Sequence, residues 1–123
     1  MRYGKEGPGP EGSVMTIEFT INGIDFVALN GGPQFRFNES VSFVVNCENQ
    51  QEVDYYWEKL SEGGQTNVCG WLKDKFGLSW QIVPVQFWEL YSSGDSAQSS
   101  RVMHAMMGMT KFIVADLETA ARG

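Results

Sequence analysis

The 123-residue sequence predicts an α+β fold with an antiparallel-rich sheet and a helical tail. Two runs of alternating apolar and polar residues meet at Asn22-Gly23. A third such run gives way to apolar residues at helical spacing. Beyond Pro84 the pattern turns helical.

Residues 4–13, GKEGPGPEGS, are rich in Gly and Pro and read as a loop or flexible entry. From Val14 to Ile21, Met15, Ile17, Phe19 and Ile21 point one way and Thr16, Glu18 and Thr20 the other, a half-buried strand. Ile24 to Asn30 is its partner. Asn-Gly between such runs favours a two-residue turn, because both central residues need positive φ. That turn sets the register: Ile21 opposite Ile24, Phe19 opposite Phe26, Ile17 opposite Ala28. One face is strongly apolar. The other, with Thr16, Glu18, Thr20, Asp25, Val27 and Leu29, is mixed. Gly31-Gly32-Pro33 ends the hairpin.

A third strand is expected from Val41 to Cys47, with Ser40, Ser42 and Val44 on the opposite side to Val41, Phe43 and Val45. Asn49 and Glu52 make a capping box ahead of a helix with Val53, Tyr56, Trp57 and Leu60 on one face. Gly63-Gly64 stops it. Residues 66–73 read as a strand, Asp74 to Gly77 as a turn, and Leu78 to Val83 as a strand closed by Pro84. Phe87 to Tyr91 reads as a short turn. Asp95 or Ser96 caps a helix running to about Met109. Ile113, Leu117, Ala120 and Ala121 make a last amphipathic stretch.

The formal charge of −6 and the lack of any basic run argue against nucleic acid and anionic membrane as partners. No apolar stretch nears the ~20 residues of a spanning helix, and the N-terminus has no signal-peptide core. A cytoplasmic protein is expected. Cys47 and Cys69 fit no zinc spacing and read as free thiols. Cys69 as a reactive thiol is the alternative, though no His lies near it in sequence.

Gly23-Ile24-Asp25-Phe26-Val27 and Gly77-Leu78-Ser79-Trp80-Gln81 share a pattern, a strand launched from a turn glycine. Such a repeat points to one supersecondary module used twice. The runs GSVMTIEFTING, FVALNGGP, VSFVVNCENQQEVDYYWEKLSEGG and above all CGWLKDKFGLSWQIVP resemble the PhnB-like family. Its members are often labelled 3-demethylubiquinone methyltransferases. They belong to the glyoxalase/bleomycin-resistance (vicinal-oxygen-chelate) superfamily. The resemblance extends to the tail with RVMHAMMGM. It implies domains built from two βαβββ modules whose sheets wrap a pocket. By that pattern residues 14–38 are the hairpin of module one, 39–84 module two and 85–123 a helical tail, in one domain lacking the family's first strand and helix.

In the superfamily a divalent metal is held by a His on each module's first strand and a Glu on each last strand. The resemblance places Ser40 at one His position, and Val27 and Gln81 at the Glu positions. Val and Ser are not metal ligands of the needed kind and Gln is a poor one, so no metal and no cofactor is expected. Ser42, Ser79 and Glu18 would face the same concave side, with Trp71 as a stacking wall. For Glu18, pointing into solvent is an equal reading. For Trp80, core packing wins. His104 lacks a partner to poise it as a base and reads as a surface or interface residue. No catalytic constellation assembles. The expected function is a metal-free domain binding a small apolar or aromatic molecule. The alternatives are an enzyme with its site completed across a dimer, and a structural remnant. A homodimer is expected, with the Met-rich helix at residues 96–109 as the element to reach across.

Overall fold

The Asn22-Gly23 turn forms as its chemistry dictates, with φ of 50° and 80° at the two residues. In the computed structural model, which describes residues 1–123, it joins β1 (Thr16–Ile21) to β2 (Ile24–Leu29). The pairing has the expected register, Ile21 to Ile24, Phe19 to Phe26 and Ile17 to Ala28. Phe19 and Phe26 stack at 5.6 Å between centroids. The hairpin is a two-stranded sheet within the first of two compact units, residues 1–36 and 37–123.

The Gly/Pro-rich segment is more than an entry loop. It closes over Tyr3, the buried side chain of its unit. Tyr3 N–H donates to Ser13 O at 2.9 Å, and Gly12 N–H to Tyr3 O at 2.9 Å. The Tyr3 hydroxyl donates to Asn30 O at the end of β2. A Cβ on Gly7 or Gly9 would collide with the Tyr3 ring, so these glycines are there for close approach.

The second unit is one complete βαβββ module followed by three helices. It comprises β3 (Ser42–Cys47), α1 (Gln50–Ser61), β4 (Gln65–Thr66), β5 (Trp71–Lys73), β6 (Ser79–Pro84), α2 (Val85–Ser93), α3 (Ser96–Met107) and α4 (Val114–Arg122). The sheet order is β3-β6-β5-β4, with β3 parallel to β6 and the other pairs antiparallel. The repeat is real at the level of the turns, since Gly77 has φ 87° and Gly23 φ 80°, each opening the second strand of an antiparallel pair. The core joins module to tail: Val53, Leu72 and Ile82 pack with Val102, Phe112 and Leu117.

Several expectations need correction. β3 begins at Ser42, because Asn38 Oδ1 accepts from both the N–H and the hydroxyl of Ser40 and holds it in a turn. The strand expected at 66–73 is broken by Cys69 and Gly70, both left-handed, with φ 59° and 78°. Their N–H groups donate outside the sheet, to Met109 O and Thr110 O, each at 2.8 Å. β6 starts at Ser79; Leu78 N–H instead closes the preceding turn on Asp74 Oδ1 at 3.0 Å. The turn expected at Phe87–Tyr91 is the middle of α2. Asp95, not Ser96, caps α3, accepting from Gln98 N–H, and the helix ends at Met107, short of Met109. Asn49 caps α1 through Glu52 N–H, but Glu52 reaches back to Glu48 N–H instead of completing the box on Asn49.

Candidate functional cleft

Alternation along β6 puts Trp80 and Ile82 on one side of the strand and Ser79, Gln81 and Val83 on the other, with Ile82 and Val83 both buried. Register brings Trp71 opposite Gln81 and Ser42 opposite Ser79. Gln81 Nε2 donates to Ser42 Oγ at 2.9 Å, which fixes the amide and leaves Oε1 as an acceptor. Pro84 ends the strand and stands at the N-cap of α2, so the chain turns directly into a helix beside this face.

The helices convert the face into a cleft of about 310 Å³. Trp71, Gln81 and Val83 come from the sheet. Phe87, Trp88 and Tyr91 come from α2, and Met103 and Met106 from α3. Cys69 and Phe112 complete the lining. The Cys69-Gly70 turn matters here. A Cβ on Gly70 would run into the Phe112 ring, so the turn lets the segment after α3 lie against the sheet. Phe87 stacks on Tyr91 at 5.9 Å and meets Phe112 at 5.4 Å. No Asp, Glu, Lys, Arg or His lines the cleft.

Of the residues singled out in the sequence, Trp71 and Gln81 line the cleft, and Ser42 holds Gln81. Ser79 is fully buried with an unpaired Oγ. Ser40 lies outside it, exposed in the turn before β3. Glu18 and Val27 are cross-strand partners in the other unit, both exposed. His104 is exposed on α3 and does not reach the lining. Trp80 packs on the core and donates from Nε1 to Asp74 Oδ2 at 3.0 Å. The α2 aromatics and Cys69 were missed as site residues. Their signal lay in Phe87, Trp88 and Tyr91, spaced to share one side of a helix rather than a turn.

Two ion pairs and one buried thiol set the electrostatics of the second unit. Lys73 pairs with Glu39, and that hydrogen bond holds the Glu39 carboxyl below its usual range. Lys111 and then Gln50 do the same to Asp54. Burial, with the nearby Glu52 charge, pushes the Cys47 thiol up to about 11. No three of His, Cys, Asp and Glu gather in the chain. A larger groove of about 740 Å³ lies in the first unit, walled mostly by Gly, Pro and backbone around Tyr3. The Tyr3 hydroxyl is already spent on Asn30, so that groove offers little chemistry.

Residues 1–83 match the model of the family described as 3-demethylubiquinone-9 3-methyltransferase. The chain belongs to that family. The matched residues stop at Val83, short of the tail that the resemblance was expected to include. Among solved structures this family member is similar to a PhnB protein of Bacillus cereus, provisionally named a 3-demethylubiquinone-9 3-methyltransferase. The two are 34% identical over 68% of this chain and 74% of that one, with a TM-score of 0.60. A protein of Pseudomonas aeruginosa shares the fold at 18% identity, over 64% of this chain and 71% of that one, with a TM-score of 0.50. No curated protein matches this PhnB-like chain. No helix is long and apolar enough to cross a membrane.

Proposed function

We propose that this chain is a metal-independent small-molecule-binding domain of the glyoxalase/bleomycin-resistance superfamily. The observation that carries the reading is the cleft of about 310 Å³, apolar and aromatic except for one fixed amide at Gln81. Small-molecule sites are commonly apolar cavities of this size with a few placed polar groups. The lining offers neither carboxylate nor imidazole to move a proton, which favours binding over acid–base chemistry.

The family's name implies a nucleoside methyl donor, and the residues do not fit one. The turns from β3 to α1 and from β6 to α2 contain no glycine, so neither gives backbone close approach at a helix N-terminus. No acidic residue lines the cleft to hold a ribose diol. Two free thiols suit a reducing compartment, which supports a cytoplasmic location.

A second copy of the chain is the proposed partner. The hairpin is a sheet of only two strands, which is marginal by itself, and it exposes Ile17, Phe19, Ile24, Val27 and Leu29. A two-fold partner offers the same apolar surface and strand edges in return.

The test is thermal unfolding with a panel of aromatic and apolar compounds, in chelator and with added zinc or nickel. A binding compound should raise Tm equally in both media. Met106→Glu, which puts a charge in the cleft, should abolish the shift. A panel without any shift, or a shift that needs metal or survives Met106→Glu, would overturn the reading.

A further inference from the structure

The cleft contains groups of one electrostatic kind. Trp71, Trp88 and Tyr91 bring electron-rich rings, Met103 and Met106 bring polarisable thioethers, and Gln81 Oε1 is an acceptor. No Lys, Arg or His stands in the lining to repel a cation or to receive an anion. Two lysines of the same unit are matched by carboxylates, Lys73 by Glu39 and Lys111 by Asp54. The chain as a whole carries −6, a field that draws cations and repels anions. Aromatic rings attract a cation through their quadrupole, most strongly at Trp, and the effect grows when water is excluded. Trp88 and Tyr91 remain 51% and 38% exposed, so they stand where an entering ligand meets them.

We propose that the cleft is an organic-cation site that takes quaternary or bulky alkylated ammonium groups, with Trp71, Trp88 and Tyr91 around the cation. This rests on the reading of the cleft as a small-molecule site and names its ligand class. Compact inorganic cations are excluded because the lining has no carboxylate to replace their water. An alkylated ammonium holds its water weakly and presents an apolar surface to Val83, Met103 and Met106.

The test compares choline with 3,3-dimethyl-1-butanol, which has the same shape without the charge. Binding is followed by tryptophan fluorescence and by Tm on the full chain. Choline should bind about tenfold tighter than the alcohol, the discrimination expected of a partly desolvated cation–π site. Trp88→Leu, at an exposed position that leaves the core intact, should remove most of that preference. The alcohol should lose less affinity than choline does. Tyr91→Leu should act in the same direction, which guards against a misfolded single variant. Equal affinity for the two probes would overturn the cation proposal and leave the apolar binding site standing. Failure of both probes to bind would overturn the proposal and also count against the cleft as a binding site. A choline preference that survives both substitutions would place the cation elsewhere and overturn it as well.

Discussion

The two units solve opposite problems. Residues 37–123 own a core in which Val53, Leu72, Ile82, Val102, Phe112 and Leu117 are all at most 2% exposed. Residues 1–36 have the clearest sequence signal in the chain and bury one large side chain, Tyr3. Ile17, Ile24, Val27 and Leu29 stay 55–65% exposed. A strong local signal therefore fixes a hairpin's shape and register without supplying its stability. Turn chemistry is local, whereas burial needs a partner surface.

That contrast breaks most sharply under core truncation. Phe112→Ala should cost about 3–5 kcal/mol, since the ring is buried against Gly70 and Phe87. Phe19→Ala in β1 should cost about 1 kcal/mol or less, the order of one aromatic pair. All four tryptophans, at 57, 71, 80 and 88, lie in the second unit, so fluorescence reads the Phe112 variant and amide exchange across β1 and β2 reads the Phe19 variant. Equal losses of unfolding free energy for the two variants would erase the distinction.

Self-association tests the exposed hairpin directly. Sedimentation equilibrium across dilution should give a dimer at micromolar concentration, and Ile17→Lys with Ile24→Lys should give a monomer with the second unit still folded. A folded monomer in the unmodified protein would mean that the apolar hairpin needs no second copy.

The same division explains what was legible in the sequence. Asn22-Gly23, the Asn49 cap, the Gly63 stop and the alternation of β6 are set by neighbours within a few residues. They place Trp71 and Gln81 on one face. The cleft's other wall was not legible, because it depends on Cys69 N–H meeting Met109 O and on Phe112 lying over Gly70. Those partners are some 40 residues apart in sequence, and no period encodes them. Ser40 was misplaced for a local reason: alternation gave it a strand position, but the Asn38 side chain competes for its backbone.

Gly23→Val measures the turn itself. A β-branched residue resists φ near 80°, so the hairpin should lose about 1 kcal/mol or more. Amide exchange across β1 and β2 is the readout, since the tryptophans do not see this unit. Unchanged protection in the two strands would show that something other than the turn holds the register.

The smallest effect separates two ways of fastening the tail to α1. Gln50 Nε2 donates to Phe112 O at 2.9 Å, and Val114 N–H donates to Gln50 Oε1 at 2.7 Å, giving α4 the N-terminal partner that Ile113 cannot supply. Beside it Lys111 pairs with Asp54 at 2.7 Å near the surface. Gln50→Ala should cost about 1–2 kcal/mol, since it strips two part-buried backbone groups. Lys111→Ala should cost only a few tenths, because solvent and salt screen an exposed pair. The two differ in pH dependence. Lys111 holds the Asp54 carboxyl below its usual range, so the pair's contribution is full above the unfolded aspartate pKa and fades as pH falls through the folded one. The Lys111→Ala penalty should therefore vanish in acid, below that lowered pKa, and shrink in high salt at neutral pH. The uncharged Gln50 bonds to backbone should keep most of their penalty through the same range. A Lys111→Ala penalty that persists in acid and in salt would mean that its methylene stem matters more than its charge.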